Sequence, residues 1–256
     1  MIISIIQPDI VWEDKTANFR KIEELISRFR VKPGIVILPE MFTTGFSMNH
    51  EKLGESPGKE TFRWMTKVAS EGSLAICGSY IVRDKGYLFN RWIFITPDGK
   101  SRHYDKRHLF RMGEEEKYFT PGKKRTVFRY EKIRICPNIC YDLRFPVWSR
   151  NRNDYDLLIN SANWPESRRD VWITLLKARA IENQCFVAGS NRTGIDGKDI
   201  RYSGDSMILN PRGEIIASAD RNECVITAEI SPDELNEFRK KFPVHLDADN
   251  FYFCLD

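Results

Sequence analysis

The sequence lacks the features of membrane and nucleic-acid-binding proteins. No apolar run approaches the length of a membrane span. The opening MIISIIQP has no basic segment and is interrupted by Gln7 and Pro8, which predicts a first strand rather than a signal peptide. The 40 basic and 36 acidic residues are mixed along the chain, with no basic block. We therefore expect neither a nucleic-acid partner nor a membrane partner.

Histidines and closely paired cysteines are also scarce. The chain has four histidines, and most of its six cysteines lie inside apolar runs. Cys136 and Cys140 have three residues between them, a spacing typical of neither a zinc site nor a secreted disulfide scaffold. We expect no metal and a location in the reducing cytoplasm.

The patterns that are present predict an α/β protein. Residues 2–6, 35–38 and 155–160 are apolar runs typical of buried strands, and residues 14–30 and 169–184 have helical periodicity. The turn at residues 95–99 resembles the turn at residues 209–213, which indicates two similar halves. We expect a four-layer α-β-β-α sandwich of two mixed sheets with outer helices, formed as a single domain over residues 1–256.

Three polar stretches stand at or near the ends of strand-like runs. They are Leu38-Pro39-Glu40, the YDKRHLF segment at residues 104–110, and the NICYDLRFP segment at residues 138–146. A cysteine where a buried strand turns polar is typical of a nucleophile, although Cys140 alone would suit a core position equally well. Glu40 ends a buried strand, and ligands of layered α/β folds gather at such ends. Lys106 alone would be read as a surface residue.

Read together and in this order, the three stretches resemble the nitrilase superfamily of carbon-nitrogen hydrolases. The resemblance extends to the RAIENQ segment at residues 179–184 and to the NPRG turn at residues 210–213. It implies a catalytic triad of Glu40, Lys106 and Cys140, no cofactor, and a homodimer or higher homo-oligomer. The CYDLRFP and NSANWP segments are most similar to the corresponding segments of the ω-amidase branch. Members of that branch hydrolyse the terminal amide of 2-oxoglutaramate and 2-oxosuccinamate.

The residue types suit the hydrolysis of a small-molecule amide. An amide is a poor electrophile and ammonia a poor leaving group, so the reaction needs a nucleophile, a proton carrier and stabilisation of the carbonyl oxygen. Glu40 can accept the proton of Cys140, which then attacks to form a thioester. The ammonium group of Lys106 and the backbone N–H of Tyr141 are the expected oxyanion donors.

The resemblance also implies a second glutamate in the loop after the lysine. Its spacing before Pro121 favours Glu115, and the adjacent Glu114 and Glu116 are close rivals. This side chain is expected to hold Lys106 and to contact the amide of the substrate.

Four further residues are predicted to form the substrate pocket. Phe42, Phe119 and Trp164 are expected to form apolar walls. Arg192 follows a strand end and is a candidate for binding the substrate carboxylate, and a loop salt bridge is at least as good an explanation of it. Arg144 is expected to brace Asp142 or the turn that carries the nucleophile.

Other functions remain open at this stage. A nitrilase, an N-carbamoyl amide hydrolase or an N-acyltransferase would use the same triad, but nitrilases usually have a Trp-Glu pair where this chain has Tyr141-Asp142. A non-catalytic binding protein on the same fold is the alternative of a different class. A papain-like hydrolase would need a histidine partner, which no motif provides. The sequence does not separate the two keto amides, since they differ by one methylene group.

Overall fold

In a computed structural model, residues 1–254 are described, and they form three sheets. The strands are β1 (Ile2–Gln7), β2 (Ile35–Ile37), β3 (Ala75–Asp84), β4 (Tyr87–Ile95), β5 (Ser101–Asp105), β6 (Phe128–Tyr130), β7 (Ile133–Ile139), β8 (Leu157–Ser161), β9 (Phe186–Ser190), β10 (Thr193–Ile195), β11 (Arg201–Ser203), β12 (Met207–Leu209), β13 (Ile215–Ser218) and β14 (Cys224–Glu229). Two sheets have six strands each, in the orders β14-β1-β2-β3-β4-β5 and β13-β12-β9-β8-β7-β6, and β10 and β11 form a hairpin.

The α-helices flank the sheets or lie in the loops between strands. They are α1 (Lys15–Arg28), α2 (His50–Leu53), α3 (Glu60–Gly72), α4 (Glu115–Tyr118), α5 (Pro146–Ser149), α6 (Arg169–Asn183) and α7 (Pro232–Lys241). Short 3-10 helices cover Arg111–Gly113, Cys140–Arg144, Glu166–Arg168 and Val244–Leu246. Asp14 caps α1 by accepting a hydrogen bond from the N–H of Ala17 at 2.9 Å. Ser231 likewise caps α7, which has Pro232 in its first turn.

Both six-stranded sheets are mixed. Strands β1, β2 and β3 are parallel neighbours, as are β7, β8 and β9, and the remaining pairs in the two sheets are antiparallel. The carboxyl ends of the central parallel strands therefore lie together in each sheet, which favours a site built from the segments that follow them.

Three apolar layers hold the sandwich together. Side chains such as Ile37 of one sheet and Ile159 of the other meet in the core between the sheets. Helices α1 and α3 cover the outer face of the first sheet through residues such as Ile22 and Met65, and α6 covers the second through Leu176. The predicted four-layer α-β-β-α arrangement is confirmed.

The last strand departs from the sequence-based expectation. Residues 225–230 follow the strands of the second half in sequence, which predicts a strand of the second sheet, but β14 pairs antiparallel with β1 at the edge of the first sheet. The backbone N–H of Ile230 continues this pairing to the carbonyl of Met1 at 2.9 Å. Pairing partners so distant in the chain leave no local signal in the sequence. No helix within residues 1–254 is long and apolar enough to cross a lipid bilayer.

Candidate active site

Segments that follow three strands bring the predicted triad together. Glu40 lies just beyond β2, Lys106 directly follows β5, and Cys140 directly follows β7 of the other sheet. All three side chains line one pocket. The site therefore combines segments that follow strands of both sheets, so neither half of the chain contains it alone.

Lys106 is held between two carboxylates. Its Nζ lies 2.7 Å from Oε1 of Glu40 and 2.8 Å from Oε2 of Glu115, and all three side chains are 0% exposed. Asn90 donates from Nδ2 to Oε1 of both glutamates, at 2.8 and 3.0 Å. The backbone N–H of Phe110 donates to Glu115 at 2.7 Å. The four polar side chains thus form one connected hydrogen-bond network.

Burial and charge determine the protonation of this network. Burial disfavours the charged form of Lys106, but the carboxylates of Glu115 and Glu40 outweigh burial and raise its pKa, so it is an ammonium ion. Burial raises the pKa of Glu115, with Lys106 opposing this shift and Glu40 adding to it. Lys106 is therefore a fixed positive charge beside the nucleophile.

A close backbone contact fixes the segment that carries Lys106. The N–H of Lys106 donates to the carbonyl of Asn90 at 3.0 Å, and its own carbonyl accepts from the N–H of Gly122 at 2.8 Å. A Cβ atom at Gly122 would lie 2.0 Å from the carbonyl oxygen of Asp105. Only glycine permits this approach, which explains the Pro-Gly pair that closes the loop.

Cys140 stands on a sharp turn from strand to 3-10 helix. Its φ of 43° is in the left-handed region, which is costly for a residue with a side chain and is typical of a strained nucleophile position. The backbone N–H groups at the start of the following helix have no carbonyl partner within that helix. The N–H of Tyr141 is one of them, and it adjoins the thiol.

Asp142 anchors this turn from beneath. Its buried carboxylate accepts hydrogen bonds from the N–H of Ile139 at 3.0 Å and from the hydroxyl of Tyr104 at 2.8 Å. It also contacts His108 through the backbone N–H and through Nδ1. The carboxylate therefore connects the nucleophile turn with the segment that carries Lys106.

The thiol of Cys140 faces the network. Its Sγ lies 3.7 Å from the carbonyl oxygen of Asn163, whose own N–H donates to Oε2 of Glu40 at 3.0 Å. Burial raises the pKa of Cys140 well above its ordinary value, the charge of Glu40 raises it further, and Lys106 opposes both effects. These effects favour the neutral thiol, and the carboxylate of Glu40 belongs to the same hydrogen-bond network.

The pocket outside the thiol is small, partly apolar and bordered by cations. Its cavity volume is about 170 Å³. It is lined by Glu40, Phe46, Lys106, Phe110, Met112, Gly113, Cys140, Tyr141, Arg144, Asn163, Trp164, Pro165, Arg168, Asp196, Lys198, Ile200 and Tyr202. A small amide carrying an anionic group suits such a lining.

Of the three adjacent glutamates at residues 114–116, only Glu115 contacts Lys106 among the described residues. Glu115 is fully buried against Lys106, whereas the side chain of Glu114 is 56% exposed and pairs with Lys117 at the surface. Glu116 has no contact with Lys106 among the hydrogen bonds and ion pairs of residues 1–254. The spacing that favoured Glu115 therefore selected the residue that contacts the lysine.

Two of the predicted pocket walls lie elsewhere. Phe42 is fully buried in the core beneath α1 and α3, and Phe119 packs in a separate cluster with Leu53. Neither lines the pocket, so their assignment as walls is corrected: each side chain points away from the site although its neighbours in sequence belong to it. Trp164 does line the pocket.

The expected roles of the two arginines are also corrected. Arg192 is buried beneath Tyr202, with its Nη2 3.1 Å from Oδ1 of Asp9, so it does not reach the pocket. Arg144 makes no hydrogen bond to Asp142 within the described residues and instead lines the pocket, with its guanidinium 5.1 Å from the ring centre of Trp164. Arg192 thus forms the salt bridge that was its alternative explanation, and Arg144 lies at the pocket instead.

Sequence reasoning missed several contributors to the site. Asn90 lies inside β4 and belongs to no recognisable motif, yet it donates to Glu40. Asn163 belongs to the NSANWP segment, but its contact with Glu40 was not predicted. Asp196 and Tyr202 come from the β10–β11 hairpin, which was not predicted. A polar residue within an apolar strand is the one signal that would have marked Asn90.

Together these groups have the composition that thiol-dependent hydrolysis would need. A neutral thiol, a carboxylate base, a fixed ammonium group and an adjacent backbone N–H supply what acyl transfer requires. No group of three or more His, Cys, Asp or Glu side chains in residues 1–254 is arranged to hold a metal ion.

Comparison with known proteins agrees with a hydrolytic site. The profile of the family "Carbon-nitrogen hydrolase" matches residues 2–240. The chain is 45% identical to the ω-amidase YafV of Escherichia coli K12 over 251 residues, covering 97% of each protein. It is 35% identical to the 2-oxoglutaramate amidase of Bacillus subtilis strain 168 over 247 residues, covering 94% of this chain and 95% of that protein.

Solved structures give the same result for the fold. XC1258 of Xanthomonas campestris, a CN-hydrolase superfamily protein with an arsenic adduct in its active site, is 40% identical with a TM-score of 0.96, covering 99% of this chain and 98% of that one. Saccharomyces cerevisiae Nit3, of the nitrilase superfamily, shares the fold with a TM-score of 0.85 at 24% identity, covering 95% of this chain and 94% of that one. The protein belongs to the carbon-nitrogen hydrolase family and is a hydrolase that acts on carbon-nitrogen bonds.

Proposed function

We propose that this hydrolase is an ω-amidase that converts 2-oxoglutaramate or 2-oxosuccinamate to the 2-oxo dicarboxylate and ammonia. The observation that carries the proposal is the buried network of Glu40, Lys106 and Glu115 beside Cys140, opening into a pocket that also presents Arg144. The similarity to an ω-amidase and to a 2-oxoglutaramate amidase supports the same substrate class.

Acylation begins with proton transfer from Cys140 to Glu40. Because the pKa of the thiol is raised, the transfer accompanies attack of sulfur on the amide carbon. The developing oxyanion is stabilised by Nζ of Lys106 and by the backbone N–H of Tyr141. Glu40 then returns the proton to the leaving nitrogen, the carbon-nitrogen bond breaks, and ammonia departs from a thioester.

Deacylation uses the same groups in reverse. Glu40 removes a proton from a water molecule, which attacks the thioester carbon, and the sulfur leaves as its carbon-sulfur bond breaks. Glu40 returns the proton to the thiolate of Cys140, and the new carboxylate is released. Glu115 holds Lys106 throughout, and it lies behind that lysine rather than among the residues that line the pocket.

Arg144 is the side chain that we assign to the substrate carboxylate. It lies four residues after the nucleophile on the same 3-10 helix, and its guanidinium stacks over Trp164 rather than on an acid. No carboxylate lies within ion-pairing distance of it among residues 1–254. A guanidinium left without an acid can bind a carboxylate through two parallel hydrogen bonds.

The direct test is ammonia release by the purified protein from both keto amides, with nitriles, N-carbamoyl amino acids and glutamine as competing substrates. Rapid hydrolysis of a keto amide that is lost in Cys140→Ala would support the proposal. If the keto amides are inert while Cys140 still hydrolyses another substrate, the family stands and the ω-amidase assignment is wrong. An inert panel would support a binding role.

We also propose a homodimer located in the cytoplasm. Val147 of α5 and Ile181 of α6 are each 56% exposed. The two helices are linked, because Arg150 donates to the carbonyl of Glu182 at 2.6 Å. Light scattering of the protein and of Ile181→Lys tests the dimer, since a charge on an apolar contact should shift it to the monomer. Free thiols at all six cysteines suit a reducing compartment.

A further inference from the structure

Two positively charged side chains of the pocket, Arg168 and Lys198, have no role in the proposed mechanism. Arg168 ends the 3-10 helix before α6, and Lys198 lies in the turn between β10 and β11. Both line the pocket. Arg168 is partly exposed and Lys198 is exposed, whereas the catalytic network is fully buried, so these two residues lie toward the pocket mouth.

The acids near Arg168 are engaged by other residues. Glu166 pairs with Arg221 at 2.5 Å, and Asp205 pairs with Arg169 at 2.7 Å. The guanidinium of Arg168 lies over the ring of Phe110, 5.4 Å from its centre. An arginine stacked on an aromatic ring keeps its N–H groups available for a carboxylate.

The acids near Lys198 are engaged in the same way. Asp196 accepts at Oδ1 from the backbone N–H of Lys198 at 2.8 Å and from that of Ile200 at 3.0 Å, and at Oδ2 from the hydroxyl of Tyr202 at 2.9 Å. Glu114 interacts electrostatically with Lys198 but is bound to Lys117 at 2.5 Å. The buried Asp196 therefore shapes the turn that presents Lys198 and leaves its ammonium group available.

The two segments are fixed relative to one another. Asp205, just beyond β11, binds Arg169 at 2.7 Å and accepts from the hydroxyl of Ser203 at 2.7 Å, while its carbonyl accepts from Nε1 of Trp172 at 2.9 Å. These contacts join the hairpin to the start of α6. The segment after the hairpin that presents Lys198 is therefore held against the start of α6, next to Arg168.

We propose that Arg168 and Lys198 form a cationic subsite at the pocket mouth that selects anionic amides over neutral ones. The subsite attracts the carboxylate of the substrate and holds it as it passes to Arg144, so it contributes to binding and not to the chemical step. This inference rests on the proposed function, because it assumes that the amide substrate carries a carboxylate.

The experiment uses 2-oxosuccinamate and its methyl ester, which present the same amide with and without the negative charge. Steady-state ammonia release is measured for the wild-type protein, Arg168→Gln, Lys198→Gln and the double variant. The double variant should raise KM for the carboxylate about tenfold while kcat changes by less than about twofold, because a binding interaction that is equal in ground and transition states changes KM alone. Hydrolysis of the methyl ester should be unchanged.

Lys67→Gln combined with Arg63→Gln is the matched control. Both residues are exposed on α3 and do not line the pocket. The two substitutions therefore remove the same total charge as the double pocket variant, but away from the pocket. It should leave KM for both substrates unchanged. An effect as large as that of the pocket variants would assign the result to the overall field of the protein and overturn the proposal.

The remaining outcomes are also decisive. An unchanged KM for the carboxylate, or equal losses for the carboxylate and its ester, would overturn the subsite. If the wild-type protein is inert on both keto amides but hydrolyses another amide, the ω-amidase assignment fails separately. The subsite is then tested with succinamate and its methyl ester, with the same expected loss for the anion alone.

Discussion

The carboxylate of Asp142 contacts His108 twice, with 2.9 Å from the backbone N–H to Oδ1 and 2.8 Å from Nδ1 to the same oxygen. His108 lies two residues beyond Lys106, and Asp142 lies two residues beyond Cys140. The ring of His108 also stacks on Phe145 with 3.7 Å between centres. These contacts join the segment that carries Lys106 to the turn that carries Cys140.

Asp142→Asn is predicted to lower kcat by at least about tenfold with little change in KM, because an amide cannot accept from all the donors that converge on the carboxylate. It should also lower the free energy of unfolding by about 2 kcal/mol, the scale of a lost charged hydrogen bond. Steady-state kinetics and urea unfolding measure the two effects. Asp170→Asn, whose parent side chain is 96% exposed, is the control. A wild-type kcat in Asp142→Asn would contradict the positioning role.

Glu115→Gln tests which of the three adjacent glutamates serves the lysine. The amide keeps the shape of the side chain but removes one of the two carboxylates that raise the pKa of Lys106. We expect kcat to fall by about 100-fold, the scale of losing an oriented oxyanion donor. Glu116→Gln, one residue away, should retain nearly wild-type kcat. Equal losses in both variants would indicate damage to α4 and not to the site.

The acid sensitivity of the fold is predicted to depend on Asp156. Burial opposes its charge, but hydrogen bonds from Arg134 outweigh burial, and with Arg239 they lower its pKa. A carboxyl whose pKa is lowered by folding stabilises the protein above its unfolded pKa, and this contribution is lost as pH falls through the folded value. Asp156→Asn should therefore cost about 3 kcal/mol at neutral pH, since it breaks a buried pair.

Urea unfolding at several pH values measures this cost. The difference between wild type and Asp156→Asn should shrink as pH falls below about 3.9, the ordinary pKa of an aspartate. Asp170→Asn is the control because the side chain of Asp170 is 96% exposed, where a charge contributes little to the free energy of unfolding. A difference that stays constant down to the lowest pH would exclude the linkage.

The sequence predicted the layers and the triad for different reasons. Apolar runs such as residues 35–38 indicate buried strands by their composition, and the similar turns at residues 95–99 and 209–213 indicated two halves packed sheet on sheet with helices outside. Glu40, Lys106 and Cys140 were found through family motifs. Asn90 was missed because its importance depends on which strands are neighbours, and that information is absent from any local pattern.

The errors have a related cause. Phe42 and Arg192 were assigned to the pocket because they stand close in sequence to site residues or to a strand end. Side chains next to each other in a strand or turn point in different directions, so proximity along the chain does not place a residue in the pocket. Arg144 was expected to brace Asp142 or the turn, because it lies in the turn that follows Cys140. Its side chain lines the pocket instead.

A pair of substitutions tests the corrected pocket wall. Phe42→Leu should lower the free energy of unfolding by about 1–3 kcal/mol, because it shortens a buried core side chain, and should leave KM for a keto amide unchanged. Trp164→Leu should raise KM about fivefold, because it removes the aromatic face on which Arg144 rests. Kinetics at a temperature where both variants are folded separate the two effects. If Phe42→Leu raised KM as much as Trp164→Leu, the core position of Phe42 would matter for binding, and assigning the wall to Trp164 would be wrong.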